Sequence, residues 1–390
     1  MEHTALWRSE RGNAPPQRVV LADDTLTADN AYHLACGGTG LLWRGDFHNA
    51  RHLLDAIARR IDQVPKRKRV KSDLPIPIVE AFNLHRQTQA QRARTLGMVL
   101  IELDENFHCP LRRAPNVQAA CHEAWDAPEI ATPTESVPSV VSLRELLGMT
   151  SASEWRRVGV EIASLNGAEN FRIHPHYSVF SPVRGEYLGL VAAAHLPKPP
   201  KGHTGITAFD IGTGTGVLAA ILVHRGVERV IATDSEPRAL ACARDNMGRL
   251  GMENKVSVQA ADLFPEGAAS LIVCNPPWLP ARPGSTLERA VYDENGQMLR
   301  GYLAGLALHL APKGEGWLIL SNLAELLGMR TREELLNTFE QNGLRVVSRI
   351  DAKPQHPKTK DSTDVLHVAR ANEVTSLWRL AVAKPSDAKV

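Results

Sequence analysis

The sequence predicts an α/β protein whose second half builds one large, mostly parallel sheet, and three observations predict it. From about residue 201 short apolar runs alternate with segments of helical periodicity. A glycine-rich turn, "DIGTGTG" (210–216), joins the first of those runs to the first helix. The run "IVCNPPWL" (272–279) stops in a proline pair that cannot continue a sheet ladder, because proline lacks the backbone donor. Alternating strands and helices imply parallel pairing with helices on both faces.

The elements follow in order. "TAFDIG" (207–212) is a buried strand, and "VLAAILVHRG" continues as a helix. "RVIATD" (229–234) is the second strand, followed by the helix "PRALACARDNMGRLG" with glycine at its end. "KVSVQAAD" (255–262) alternates as a third strand and "ASLIVCN" (269–275) is a fourth. The helix "GQMLRGYLAGLALHLAPKG" leads to the strand "GWLILSN" (316–322). The helix "TREELLNTFEQNG" and the strands "LRVVSRI" (344–350) and "TSLWRLAVA" (375–383) complete seven strands. Between the last two, "DAKPQHPKTKDSTDVLHVARANEV" reads as a long loop with a helical turn. A hairpin of that kind sets an antiparallel strand at the sheet's edge.

The first half is less regular. "ARHLLDAIARRI" (50–61) has helical spacing, "RTLGMVLIEL" suggests a strand, and "RAPNVQAACHEAWD" a further helix, which predicts a mixed α/β or helical domain. "CGGTG" (36–40) reads as a loop, since nothing around it alternates strand and helix. The Pro, Ser and Thr-rich stretch 127–142 marks the boundary. The expected division is a substrate-recognition domain over 1–140, a helical preface and lid over 141–200, and a cofactor-binding domain over 201–390.

At 390 residues, 43% hydrophobic and 23% charged, the chain has material for two globular domains. A formal net charge of +2 neither demands nor excludes a polyanionic partner. Five scattered cysteines fit reduced thiols better than a disulfide framework. No apolar run approaches the ~20 residues that span a bilayer, and "MEHTALWRSE" lacks the apolar core of a signal peptide, so a cytoplasmic location without membrane attachment is expected. The basic stretches "PKRKRVK" (65–71) and "HPKTKDSTD" (356–364) read as solvated loops that could also touch phosphates. His108, Cys109, Cys121 and His122 lack the C-x2–4-C spacing of zinc modules, and no metal is expected.

Gly212, Gly214 and Gly216 let the backbone of the turn approach a ligand at a helix start. A dinucleotide fingerprint wants G-x-G-x-x-G, yet Val217 stands at the third required position. Asp210 precedes the first glycine, where a carboxylate repels a pyrophosphate. The turn suits a cationic ligand without phosphates, and S-adenosylmethionine, with a sulfonium and an ammonium, is one. Asp234 can accept from both ribose hydroxyls. Asp262 can accept from the adenine amine, with Leu263 and Phe264 flanking the ring. Each acid after a strand could equally cap the next helix.

Together "DIGTGTG", "TD" (233–234), "AADLF" (260–264) and "NPPW" (275–278), over roughly 170–385, resemble the class I S-adenosylmethionine-dependent methyltransferases of the small methyltransferase domain group. That group includes ribosomal RNA guanine-N2 methyltransferases and is close to the release-factor glutamine methyltransferases. The resemblance implies a Rossmann-like seven-stranded sheet with an antiparallel last strand. The stretch "HYSVFSPVRGEYLGLVAA" (176–193) is similar to the segment that leads into the helix covering the cofactor, which implies that Phe180 packs near it. Most members of that group carry Tyr or Phe where Trp278 stands, so Trp278 departs mildly from the resemblance.

The chemistry of "NPPW" follows from the residue types. Methyl transfer needs a nitrogen lone pair held in line with the methyl carbon. The side-chain oxygen of Asn275 and the Pro276 carbonyl can accept its two N–H groups and stabilise the charge that develops on it. Pro277 stiffens the turn with Pro276, and Trp278 offers a face for stacking. The expected reaction is transfer to a planar amino nitrogen, first an exocyclic base amine in RNA and second a glutamine amide in a protein. A nucleotide-binding regulator or NAD-dependent oxidoreductase is disfavoured by Val217 and the proline pair. A catalytically dead fold is disfavoured by the intact Asp210, Asp234 and Asn275.

Overall fold

The structure is a computed structural model, and it describes every residue except 1–4, 11, 64–75, 126–136, 166–170, 184, 203, 286, 355–365 and 385–390. The basic stretches 65–71 and 356–364 lie outside the described residues, as does most of the Pro, Ser and Thr-rich stretch. The chain forms two compact units, Met1–Glu154 and Trp155–Val390.

The first unit is α/β. Its elements are β1 (Leu6–Arg8), β2 (Arg18–Ala22), α1 (Ala28–Cys36), β3 (Thr39–Trp43), α2 (Phe47–Gln63), α3 (Ile78–Leu96), β4 (Val99–Leu103), α4 (Gln118–Trp125) and β5 (Ser139–Ser142). The sheet order is β1-β5-β4-β3-β2, with β2, β3 and β4 parallel and β5 antiparallel to β4. Residues 36–40 are therefore not an isolated loop, because they carry α1 into β3. The alternation is masked by β2, whose Val19 and Leu21 are exposed, and by an α1 that buries little beyond Ala31 and Ala35. Gly40 is small for packing, since a Cβ there would meet Leu100 Cδ1 at 2.7 Å.

Helix α5 (Leu143–Val158) carries the chain into the second unit. There β6 (Val160–Glu161) and β7 (Arg172–Ile173) form a short antiparallel pair ahead of α6 (Glu186–Ala193). Next come β8 (Thr207–Ile211), α7 (Val217–His224), β9 (Arg229–Asp234), α8 (Pro237–Arg249), β10 (Val256–Ala260), β11 (Ala269–Cys274), α9 (Gln297–His309) and β12 (Leu310–Ser321). The unit closes with α10 (Leu323–Leu326), α11 (Arg332–Gln341), β13 (Leu344–Ala352), α12 (His367–Ala371) and β14 (Thr375–Val382). Helix α11 starts where the sequence expects, with a capping box between Thr331 and Glu334.

Seven strands form one sheet in the order β10-β9-β8-β11-β12-β14-β13, parallel except for β14. Alternate residues feed two cores. Val273 and Trp317 join α6 and α7 on one face, whereas Ile272 and Leu318 join α9 and α11 on the other. Helix α7 is buried from Val217 through Val223, which explains why its sequence is apolar all round.

Two expectations are corrected. The antiparallel strand is not at the edge: β14 lies between β12 and β13, and β13 is the edge strand. Burial gives the reason, since Leu377, Trp378 and Leu380 of β14 are buried whereas Arg345, Val347 and Arg349 of β13 face solvent. The helix read through Gly314 stops at His309, and β12 begins at Leu310. The β11 partner jumps from Leu310 to Glu315 across a bulge, with Lys313 at φ 65°.

Candidate functional site

The order of the sheet reverses between β8 and β11, and open α/β sheets bind ligands at the carboxyl ends of the strands beside such a reversal. Register decides which residues meet there. Ile211 of β8 pairs with Thr233 of β9 and with Cys274 of β11. The next residue on each strand is Gly212, Asp234 and Asn275, so the three emerge at one level of a common rim.

The glycine turn has the backbone that glycine permits. Gly212, Gly214 and Gly216 have φ of 69°, 55° and 81°, all in the left-handed region. A Cβ on Gly214 would meet nothing within 4 Å, so this turn faces open space. On Gly212 it would come within 2.4 Å of Met298 Cε, and Met298 on α9 thus covers the turn. Asn246 of α8 is fully buried and holds the turn from behind. Its amide nitrogen donates to the Thr215 carbonyl at 3.0 Å, and its oxygen accepts from the His174 N–H at 2.7 Å.

Asp210 is fully buried. Its Oδ2 accepts from Thr213 Oγ1 at 2.7 Å and from the Ala219 N–H at 3.1 Å, so it already serves the first turn of α7. A phosphate would have to displace that carboxylate. Oδ1 is buried and has no hydrogen-bond partner. Burial, with a smaller contribution from Asp234, pushes the carboxyl up to about 6. A buried carboxylate beneath the glycine turn sets a negative potential there, which favours a cationic ligand over a phosphate.

Asp234 is not the N-cap of α8, which is Glu236. Its Oδ2 accepts from the Gly214 N–H and its Oδ1 from the Glu236 N–H, both at 3.0 Å. Each oxygen keeps a lone pair for a further donor. Burial raises the carboxyl, and these two N–H groups oppose that shift.

The third acid sits differently. Strand β10 ends at Ala260, so Asp262 lies two residues beyond it and is exposed. Leu263 takes φ 71°, and its carbonyl accepts from Thr233 Oγ1 at 2.6 Å, which ties this turn to the end of β9. Phe264 faces α9, stacked on His309 at 4.3 Å with a Cβ on Gly305 excluded by its ring. Phe180 is half-buried in the segment leading to α6.

After β11 the chain turns as the proline pair demands. Pro276 is buried, and Asn275, Pro277 and Trp278 are half-buried. The Trp278 indole N–H donates to Asn275 Oδ1 at 2.9 Å, so the indole fixes the amide with its oxygen facing the ring edge. Leu279 then exchanges backbone hydrogen bonds with the stretch 291–293. Asp293 is buried and accepts from the N–H groups of Met298 and Leu299, anchoring α9 below the rim. Asn246, Asp293 and Met298 were not picked out from the sequence. A buried asparagine on an otherwise amphipathic helix is a signal for the first, and an acid just before a helix is one for the second.

The cysteine and histidine set of the first unit is accounted for by packing. Cys109 and Cys121 are buried, His122 sits edge-on to Phe107 at 4.9 Å, and His108 lies 3.7 Å from Asp104. Among the described residues no helix is long and apolar enough to cross a membrane.

Residues 170–324 match the family described as methyltransferase small domain. The ribosomal protein L11 methyltransferase of Symbiobacterium thermophilum is 44% identical over 71 residues, 18% of this chain and 23% of that protein. The release factor glutamine methyltransferase of Cereibacter sphaeroides is 35% identical over 146 residues, 34% of this chain and 50% of that protein. A solved methyltransferase structure from Pyrococcus furiosus shares 18% identity, covers 59% of this chain and 98% of its own, and has a TM-score of 0.40. The chain thus spans from 23% to 50% of the length of these two curated relatives.

Proposed function

We propose that this chain, whose residues 170–324 form a methyltransferase small domain, transfers a methyl group from S-adenosylmethionine to a planar amino nitrogen at the rim where β8, β9 and β11 end. The register that brings Gly212, Asp234 and Asn275 to one level carries the reading. It sets a cation-seeking pocket beside a pair of hydrogen-bond acceptors.

When bound, S-adenosylmethionine supplies an electrophilic methyl group on a sulfonium. The open backbone at Gly214 admits the ligand's amino-acid end, and the buried Asp210 shapes the turn from beneath through Thr213 and the Ala219 N–H while its charge favours a cation above it. Asp234 accepts from the ribose hydroxyls with its two remaining lone pairs. Asp262 and Leu263 line the adenine side, and Phe180 closes over it from the segment before α6.

Asn275 and the Pro276 carbonyl take the two N–H groups of the substrate nitrogen. The Asn275 oxygen has two lone pairs, one engaged by Trp278 and one left for substrate. The same bond fixes the indole, so its exposed part offers a stacking surface of defined orientation. Acceptors held in place before the reaction stabilise the charge that grows on nitrogen without reorganising.

The names of the curated relatives favour a protein side-chain nitrogen, with the glutamine amide first, which reverses the order expected from the sequence. The exocyclic amine of an RNA base is the second reading, supported only by the resemblance of the motifs in the sequence to guanine-N2 enzymes. The first unit, Met1–Glu154, selects the substrate, and the stretch of the second unit ahead of β8 serves as preface and lid.

Transfer of labelled methyl from S-adenosylmethionine into a cell extract tests this, with portions treated by protease or ribonuclease. Label released by protease alone supports the side-chain nitrogen, and label released by ribonuclease alone replaces it with RNA. No incorporation, together with binding of NAD, would contradict the methyltransferase reading.

A further inference from the structure

We propose that Arg289 and Glu236 form a latch across the cofactor cleft that sets how fast S-adenosylmethionine enters and leaves; the inference rests on the reading that this rim binds that cofactor. Glu236 stands two residues beyond Asp234, and Arg289 lies in the stretch that follows Asn275–Trp278. Arg289 Nη1 donates to Glu236 Oε1 at 2.5 Å across 53 positions of sequence.

The stretch is a loop with a pinned base. The Leu279 N–H donates to the Val291 carbonyl at 3.2 Å, and the Asp293 N–H donates back to the Leu279 carbonyl at 2.9 Å. Asp293 also anchors α9, so both ends of the loop are fixed beside β11. Within the loop the Gly284 N–H is held by Glu288 Oε2 at 2.8 Å, and the 3₁₀ turn Leu287–Ala290 carries Arg289. Glu236, by contrast, is the N-cap of α8 and belongs to the wall that continues β9. In the sheet β8 lies between β9 and β11. Neighbouring strands are about 4.8 Å apart, so the two walls stand about 10 Å apart with the glycine turn between them. An ion pair that joins them crosses over the end of β8.

Two observations locate the crossing. The Asp234 carboxyl, raised chiefly by burial, also feels the charge of Glu236, so the pair sits at the acid assigned to the ribose. A Cβ on Gly214 would meet nothing within 4 Å, so the loop does not rest on the turn and space stays open beneath the link. The pair thus bridges the cleft without filling it and closes over an empty and a filled pocket alike. Its side chains are 62% and 46% exposed, and water and salt weaken an ion pair so placed. Such a link opens readily, as a latch on a cofactor exchanged at every turnover must. S-adenosylmethionine and its product S-adenosylhomocysteine carry the same adenosine, and both have to pass it.

Stopped-flow binding of S-adenosylmethionine and of S-adenosylhomocysteine to the full chain, with calorimetry for affinity, tests the latch. In Arg289→Ala the association and dissociation rates of both ligands should rise together by roughly twofold to fivefold, the range that an exposed ion pair supplies. Affinity should stay within about twofold on the same grounds. Arg289→Glu should be as fast as Arg289→Ala, and adding Glu236→Arg to it should restore the native rates, because the exchanged charges rebuild the pair. The difference between native and Arg289→Ala should vanish at about 1 M salt, where exposed charges are screened within about 3 Å. Both residues are exposed, so the variants keep the core intact. Unchanged rates in Arg289→Ala, or an exchanged pair that stays fast, overturns the latch while leaving the cofactor reading intact. Weaker binding at an unchanged association rate also overturns it, since Arg289 would then be a direct cofactor contact. A native chain that binds neither ligand overturns both the latch and the cofactor reading.

Discussion

The molecule holds two glycine-rich stretches, one in each of two mostly parallel α/β sheets, and they run in opposite senses along the chain. Residues 36–40 carry a helix into a strand, so their glycines sit at a helix's carboxyl end and a strand's start. Residues 210–216 carry a strand into a helix, at the carboxyl end of β8. Around the first, Gly40 is packed against Leu100 and Pro16, whereas Gly214 of the second faces open space. An acid stands at a strand end in each unit as well. Asp23, after β2, is exposed and turns back on Thr25, at 2.9 Å to its N–H and 2.6 Å to its hydroxyl. Asp234, the last residue of β9, is drawn inward to the Gly214 and Glu236 N–H groups. Both places are rich in glycine, and direction relative to the strand separates a packing device from the proposed ligand site.

The largest effect expected on this contrast concerns the rim of the second sheet. Asn275→Ala should lower turnover by about 10²–10³ while leaving cofactor affinity nearly unchanged, as for loss of one transition-state hydrogen-bond partner. Stopped-time assays with calorimetry check both halves. A variant at full rate would remove the acceptor role.

Next come the paired acids. Asp234→Ala should weaken S-adenosylmethionine binding by about 1–3 kcal/mol, and Asp23→Ala should leave it unaltered. Equal behaviour of the two in titration would erase the distinction between the sheets.

The third prediction concerns stability. Asp210 in the folded, ligand-free chain sits at about 6, above its ordinary value near 4. Between those values the unfolded chain has lost its proton and the folded chain has not, so Asp210 makes stability fall as pH rises, with no further change above. Asp210→Asn removes that slope. The stability of the variant relative to the native chain should therefore rise by roughly 3 kcal/mol from pH 4 to pH 7, as urea unfolding without ligand would record. A constant difference would mean that Asp210 is not held protonated by burial.

The smallest effects separate the glycines. Gly40→Ala should destabilise the first unit by about 1–3 kcal/mol through overpacking and leave cofactor binding alone. Gly214→Ala should cost only about 1 kcal/mol of backbone strain but should also weaken the cofactor, because the methyl enters the open side of the turn. Thermal melts with and without ligand distinguish the two.

The legibility of the sequence follows the same contrast. In the second unit "TAFDI", "RVIATD" and "ASLIVC" are strands within a residue of their expected bounds, since buried parallel strands are written as continuous apolar runs. The glycine turn, Asp234 and Asn275 were visible because each stands at such a run's end. Features that depend on distant packing were not. The insertion of β14 inside β13, the turning of Phe264 onto Gly305, and the Asn246 bridge from His174 to Thr215 join residues far apart in the chain. In the first unit the exposed edge strand β2 and a short α1 hid the alternation.

The most direct test of the central claim is equilibrium binding of S-adenosylmethionine to the full chain, compared with Asp234→Ala and with NAD as competitor. The account predicts binding by the native chain, a loss of about 1–3 kcal/mol in the variant, and no displacement by NAD. Failure of the native chain to bind, or undiminished binding by Asp234→Ala, would contradict it.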